Sequence, residues 1–324
     1  MISIVQQIVK SIPRHKGKWI VAVKLIATVW LVSFLTGKVG GVNLWEVIVS
    51  ADMVYMGLAI LLMVPNITMQ FQKWKFLAKQ VVGTREDAEL GKAFFMGILF
   101  GSFTPGRLGE YLGRKLALKD EGLLEVTIVT FLDKIFNLFF IAGVGALSLT
   151  LFLYVTIEVP AIAATALFVT IAILFFLFMH LLISEIWWNN SVVKYISKFR
   201  FLKNYRERFL ILKDLDKSLI SRLMLYSGGI YIIILLQYAL LVMSFSGQND
   251  ILNYVWGAAL FFYTKSFIPA FTWGELGVRE AVSIFYLTSF GLSEAVGFNA
   301  SLFLFLINIF LPSLPGVWFL LRNK

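Results

Sequence analysis

The chain contains no cysteine. That excludes disulfides, thiolate nucleophiles and thiolate metal sites. Histidine occurs only twice, at the isolated positions His15 and His180, and no Asp-x-x-Asp pair is present. No metal site and no cofactor is expected. Charge is also scarce: Asp, Glu, Lys and Arg make up 15% of the residues, against about 25% in a soluble domain. No polar stretch exceeds about forty residues, too few for an ordinary separate domain. No small-residue cleavage site follows an apolar core near the N-terminus, so no signal peptide is expected.

Apolar residues are abundant instead, at 59%, with a mean hydropathy of +0.82. A helix crosses a bilayer with about 20 residues. The apolar runs predict full spans near 19–36, 46–71, 123–155, 161–183, 223–245 and 295–321. Basic residues cluster at the N-terminus, in a 72–92 loop with Lys73, Lys75, Lys79, Arg85 and Lys92, in 184–222, and at the C-terminus. By the positive-inside rule these face the cytoplasm, with both termini, in a bacterial or archaeal cytoplasmic membrane. Trp19, Trp74, Trp187, Trp188 and Trp318 fall at the expected inner boundaries, and Trp45 and Trp256 at the outer one.

One seven-residue pattern occurs twice. Phe103-Thr104-Pro105-Gly106-Arg107-Leu108-Gly109 returns as Phe271-Thr272-Trp273-Gly274-Glu275-Leu276-Gly277, with five of seven positions identical. The copies stand about half the chain apart, and each interrupts an apolar stretch too short to cross. Ala93–Phe103 holds eleven residues before Pro105. Tyr254–Ile268 and Ala281–Gly291 flank the second break, which runs from Pro269 to Gly277. Each is read as a re-entrant hairpin, since irregular backbone at depth is tolerated where it lines a cavity. Pro105, Gly106, Gly109, Pro269, Gly274 and Gly277 are the turn residues; the glycines serve either the turn or close helix packing.

The fold expected is an all-α polytopic membrane protein: about six full transmembrane helices plus two re-entrant hairpins. Residues 1–324 form a single membrane domain. Residues 1–155 and 161–324 would be halves of one order and opposite orientation, an inverted repeat whose broken segments meet near the midplane. Between them, 184–222 carries nine Lys/Arg against four acids, and its apolar residues recur at steps of three and four. This predicts a basic amphipathic cytoplasmic linker, either lipid-facing or an ordinary solvated connector.

Charges inside apolar segments mark the candidate site. Arg107, Glu110 and Arg114 follow the first break; Glu275, Arg279 and Glu280 lie in and after the second; Lys265 lies on the arm entering it. A charge at depth costs about 2.5–3.5 kcal/mol even on the lenient insertion scale, so such residues face a cavity or one another. The arginines suit a phosphate through their planar fork, and the carboxylates hold them or carry a coupling proton. All seven are taken as substrate-binding candidates. Asp133 and Lys134, about ten residues into the following span, are read as a coupling or structural charge pair.

These residues resemble the transmembrane region of the lysylphosphatidylglycerol synthase family. The likeness rests on Thr104-Pro105-Gly106-Arg107-Leu108-Gly109-Glu110 with Arg114, on Asp133-Lys134 where the family often has Glu-Arg, and on Gly274-Glu275-Leu276-Gly277-Val278-Arg279-Glu280. Glu275 departs from the family pattern by replacing the second residue of a common Gly-Gly pair. In two-domain members this region is thought to flip an aminoacylated lipid made by a soluble transferase domain, which is not expected here. The resemblance implies a flippase-like membrane region for a phospholipid, glycolipid or polyprenyl-phosphate lipid, and no nucleic-acid partner.

Three functions stand. The first is alternating-access transport of an anionic or phosphate-bearing lipid. The second is an integral membrane enzyme on a lipid carrier, for which the sequence offers little. The third is a non-transporting anchor of a glycosyltransferase or aminoacyltransferase. Expected partners are membrane lipids, with a lipid-modifying transferase and a homodimer left open.

Overall fold

The structure is a computed structural model that describes residues 51–83, 85–183, 217–268, 275 and 277–322. The expected span near 19–36, most of the 184–222 linker, and the turn residues Pro269 and Gly274 lie outside the described residues. Every regular element among the described residues is helical. Five helical stretches are long and apolar enough to cross a membrane: Met53–Val81, Leu123–Thr156, Ala161–Phe178, Ser218–Ser246 and Glu294–Arg322. The chain is therefore an all-α polytopic membrane protein.

In chain order the helices are α1 (Met53–Leu61), α2 (Met63–Val81), α3 (Asp87–Ser102), α4 (Gly109–Ala117), α5 (Leu123–Thr156), α6 (Ala161–Ile183), α7 (Lys217–Ser246), α8 (Ile251–Phe267), α9 (Val278–Ser289), α10 (Glu294–Phe305) and α11 (Leu311–Arg322). Asp52 caps α1 by accepting from the Val54 and Tyr55 amides, which satisfies two amides that the helix leaves unpaired. The second span differs from expectation. Helix α2 continues to Val81, so Lys73 is a helical residue rather than a loop residue.

Both motif copies sit where two short helices meet. Helices α3 and α4 have 16 and 9 residues, about 24 and 14 Å at 1.5 Å per residue. Neither alone reaches across about 30 Å of hydrocarbon. They run antiparallel, because Gly109 lies against Phe100 and Gly113 against Met96. A β-carbon on Gly109 would stand 2.1 Å from the Phe100 carbonyl oxygen, and one on Gly113 2.4 Å from that of Met96. This is small-residue packing at i and i+4, which lets two backbones touch. Helices α8 and α9, of 17 and 12 residues, are antiparallel too: Thr264 bonds Tyr286 at 2.7 Å, and Gly257 lies against Leu287 and Phe290.

Each hairpin has its own apolar core. Trp74, Leu90, Phe94, Met96, Val129 and Phe136 surround the first; Tyr238, Leu260, Phe261, Leu287, Ala300 and Leu304 surround the second. The last span joins them. Its first part, α10, packs on α9, and its last part, α11, packs on α3. Between these lies a π-helical turn, Leu306–Phe310. Asn308 in that turn accepts from Asn66 at 2.8 Å, and Asn66 also donates to Gln237 at 3.1 Å.

Candidate functional site

The first break is a single 3₁₀ turn, Pro105–Arg107. Thr104 closes it: its hydroxyl accepts from the Gly109 amide at 2.5 Å and donates back toward the Phe100 carbonyl at 3.2 Å. Gly106 takes φ 57 and, unusually for a non-glycine, so does Arg107. In the second break Glu275 takes φ 64 and Gly277 φ 94. Arg107 and Glu275 occupy the same position of the repeated motif. A left-handed conformation costs an L-residue roughly 1–2 kcal/mol and glycine nothing. The backbone thus supplies a physical reason for glycine at that position, and this chain has a charged side chain there in both copies.

Helix α4 begins at this turn and carries Glu110 and Arg114 one turn apart on its α3-facing side. Gly97 makes the room, since a β-carbon there would stand 2.8 Å from Arg114 Cγ. Arg114 is 1% exposed. It donates to Glu110 at 2.5 Å and to Asp133 at 3.1 Å, and its guanidinium lies 4.8 Å from the Trp74 ring. Glu110 also pairs with Lys134 at 3.0 Å and with Arg107 at 3.8 Å.

Asp133 and Lys134 do not pair with each other. Neighbours on a helix point about 100° apart, so Asp133 turns to Arg114 and Lys134 to Glu110. The second partner of Asp133 is Lys73, at 3.1 Å. Lys73 is fully buried and also donates to the Asp133 carbonyl, Asn137 Oδ1 and Ser227 Oγ. The cluster therefore sets four cations, Lys73, Arg107, Arg114 and Lys134, around two carboxylates, Glu110 and Asp133. With these groups ionised it is two positive charges in excess.

The second cluster is arranged differently. Lys265 Nζ pairs with Glu275 at 2.7 Å. Glu280 reaches back to accept from the Gly277 amide at 2.5 Å, capping α9, and accepts from Ser301 Oγ at 3.3 Å. Arg279 is 3% exposed. Among the described residues it has no carboxylate within 4 Å and no hydrogen-bond partner, and its Nε is buried without one. Its guanidinium rests 5.7 Å from the Phe305 ring. The two clusters are neighbours, because the Arg107 charge acts on Lys265, Glu275 and Arg279.

The structure thus gathers Arg107, Glu110, Arg114, Asp133 and Lys134 in one network, and Lys265, Glu275, Arg279 and Glu280 beside it. Lys73 is a member of the cluster that the sequence pattern does not single out; its only signal is a lysine within helical reach of an apolar segment. Apolar cavities of about 420 and 560 Å³ lie elsewhere, between α5 and α6. Among the described residues no group of three metal-ligating side chains occurs.

The family model for the lysylphosphatidylglycerol synthase transmembrane region matches residues 19–316. No curated protein and no solved structure matches significantly.

Proposed function

The chain belongs to the lysylphosphatidylglycerol synthase transmembrane-region family, and from that premise we propose that it moves a phosphate-bearing lipid between leaflets. The observation that carries this reading is Arg279, a cation buried to 3% exposure with no carboxylate within 4 Å among the described residues, compensated only at longer range by Glu280 and Glu275. An unpaired charge at depth is expensive. A transient anionic ligand supplies what the protein does not. Arg107 is the second contact: it is one-third exposed, and its one ion pair among the described residues is at 3.8 Å. Arg114 is committed to two carboxylates and holds the first hairpin instead.

The shared left-handed backbone at Arg107 and Glu275 supports reading the two hairpins as related halves. In that arrangement the site opens alternately to each side as one half rocks on the other. The π-helical turn, between the part of the last span that holds α9 and the part that holds α3, is a natural place for the hinge. The test is lipid scrambling in reconstituted vesicles with fluorescent phospholipids and polyprenyl phosphates. Wild type is expected to equilibrate at least one class, and Arg107→Ala and Arg279→Ala to lose it. Leaflet accessibility equal to that of empty vesicles for every lipid, with or without a proton gradient, would sink the proposal.

A further inference from the structure

The four carboxylates of the two charge clusters are not alike. Glu110 has three cations within 4 Å, Asp133 has two and Glu275 has one. Glu280, 1% exposed, has none among the described residues. Neutral donors hold it, the Gly277 amide and the Ser301 hydroxyl. Protonating any of the first three would break ion pairs. Protonating Glu280 breaks none: one oxygen still accepts from Gly277, and the new hydroxyl donates to Ser301 Oγ, which can equally accept. The contacts to Gly277 and Ser301 are kept in both protonation states.

The charged group acting most strongly on Glu280 is Arg279. Ser301 on α10 is its side-chain hydrogen-bond partner. Arg279 in turn feels Glu275 in the break, Tyr238 on α7 and Arg107 from the first hairpin, and Glu275 is paired with Lys265 on α8. An anion arriving at Arg279 takes over the compensation of that charge and repels the Glu280 carboxylate.

We propose that Glu280 is a proton-binding site linked to the anion site, so that a proton enters with the anionic headgroup. This rests on the reading of Arg279 as an anion contact. The balance is simple: carboxylate plus proton plus monoanion gives carboxylic acid plus bound monoanion, with no net change in the charge of the occupied site. By linkage, anion affinity then rises as pH falls, by up to about tenfold per pH unit.

The experiment is calorimetric titration of the purified protein with dihexanoyl phosphatidylglycerol, whose phosphodiester does not itself titrate near neutral pH. Buffers of different ionisation enthalpy report the protons taken up per lipid bound. Wild type is expected to take up close to one proton, and Glu280→Gln to bind with none and with no pH dependence. Binding by wild type without proton uptake, or uptake that Glu280→Gln retains, overturns the proton site and leaves the anion site standing. Absence of binding by wild type overturns the anion site, and the proton site with it. Should Glu280→Gln fail to fold, the infrared difference spectrum of wild type decides. Appearance of a protonated-carboxyl band on lipid binding supports the proposal, and its absence refutes it.

Discussion

The two hairpins share a motif, a broken backbone and antiparallel short helices, yet they treat charge in opposite ways. At the first, Glu110 and Asp133 are each shared between cations, and Arg114 sits on both. At the second, one pair is closed, Lys265 with Glu275, while Arg279 and Glu280 are buried with no opposite charge within 4 Å among the described residues. A network whose buried members share their partners resists rearrangement, because each step would break a buried ion pair. A cation without a partner has nothing to break when a ligand arrives. On the proposed reading, Glu110, Arg114 and Asp133 support the first hairpin, and the second hairpin binds together with Arg107.

The largest effect that would break this comparison is on stability. Arg114→Met breaks two buried ion pairs at once, those with Glu110 and Asp133, and is expected to cost about 3–5 kcal/mol. Arg279→Met removes a buried cation that has no ion pair within 4 Å among the described residues, breaks no close contact, and is expected to cost less than about 1 kcal/mol. Thermal unfolding of the two variants in one detergent checks it. Equal losses would mean that Arg279 is paired after all.

Next in size is the backbone contact of the first hairpin. Gly109→Ala drives a methyl into the Phe100 carbonyl and is expected to cost about 1–3 kcal/mol as α4 is pushed from α3. Gly106→Ala meets open space and pays only for its left-handed backbone, about 1 kcal/mol. The same unfolding assay separates a packing glycine from a turn glycine.

Much of this was legible in the sequence. Apolar runs marked the five described spans, because crossing a bilayer sets a length that composition reveals. The repeated heptapeptide marked both breaks. Pairing was not legible. Lys73 and Asp133 are far apart in the chain and meet only through helix register. Lys73 itself reads as one more basic residue of a loop, because the positive-inside rule counts lysines without regard to depth. Asp133 and Lys134 are adjacent in sequence and look like a pair, yet helix geometry sends them to different partners. The Asn66–Gln237–Asn308 cluster left only scattered amides in apolar segments, and the π-turn beside it had no signal at all.

The most direct test of the account is a structure of the protein with a short-chain phosphatidylglycerol bound, solved in a lipid nanodisc. The account predicts the phosphate within hydrogen-bond distance of the Arg279 guanidinium, with Arg107 facing it and Arg114 still on Glu110 and Asp133. Arg279 paired with a carboxylate of the protein, and no phosphate between the hairpins, would contradict it.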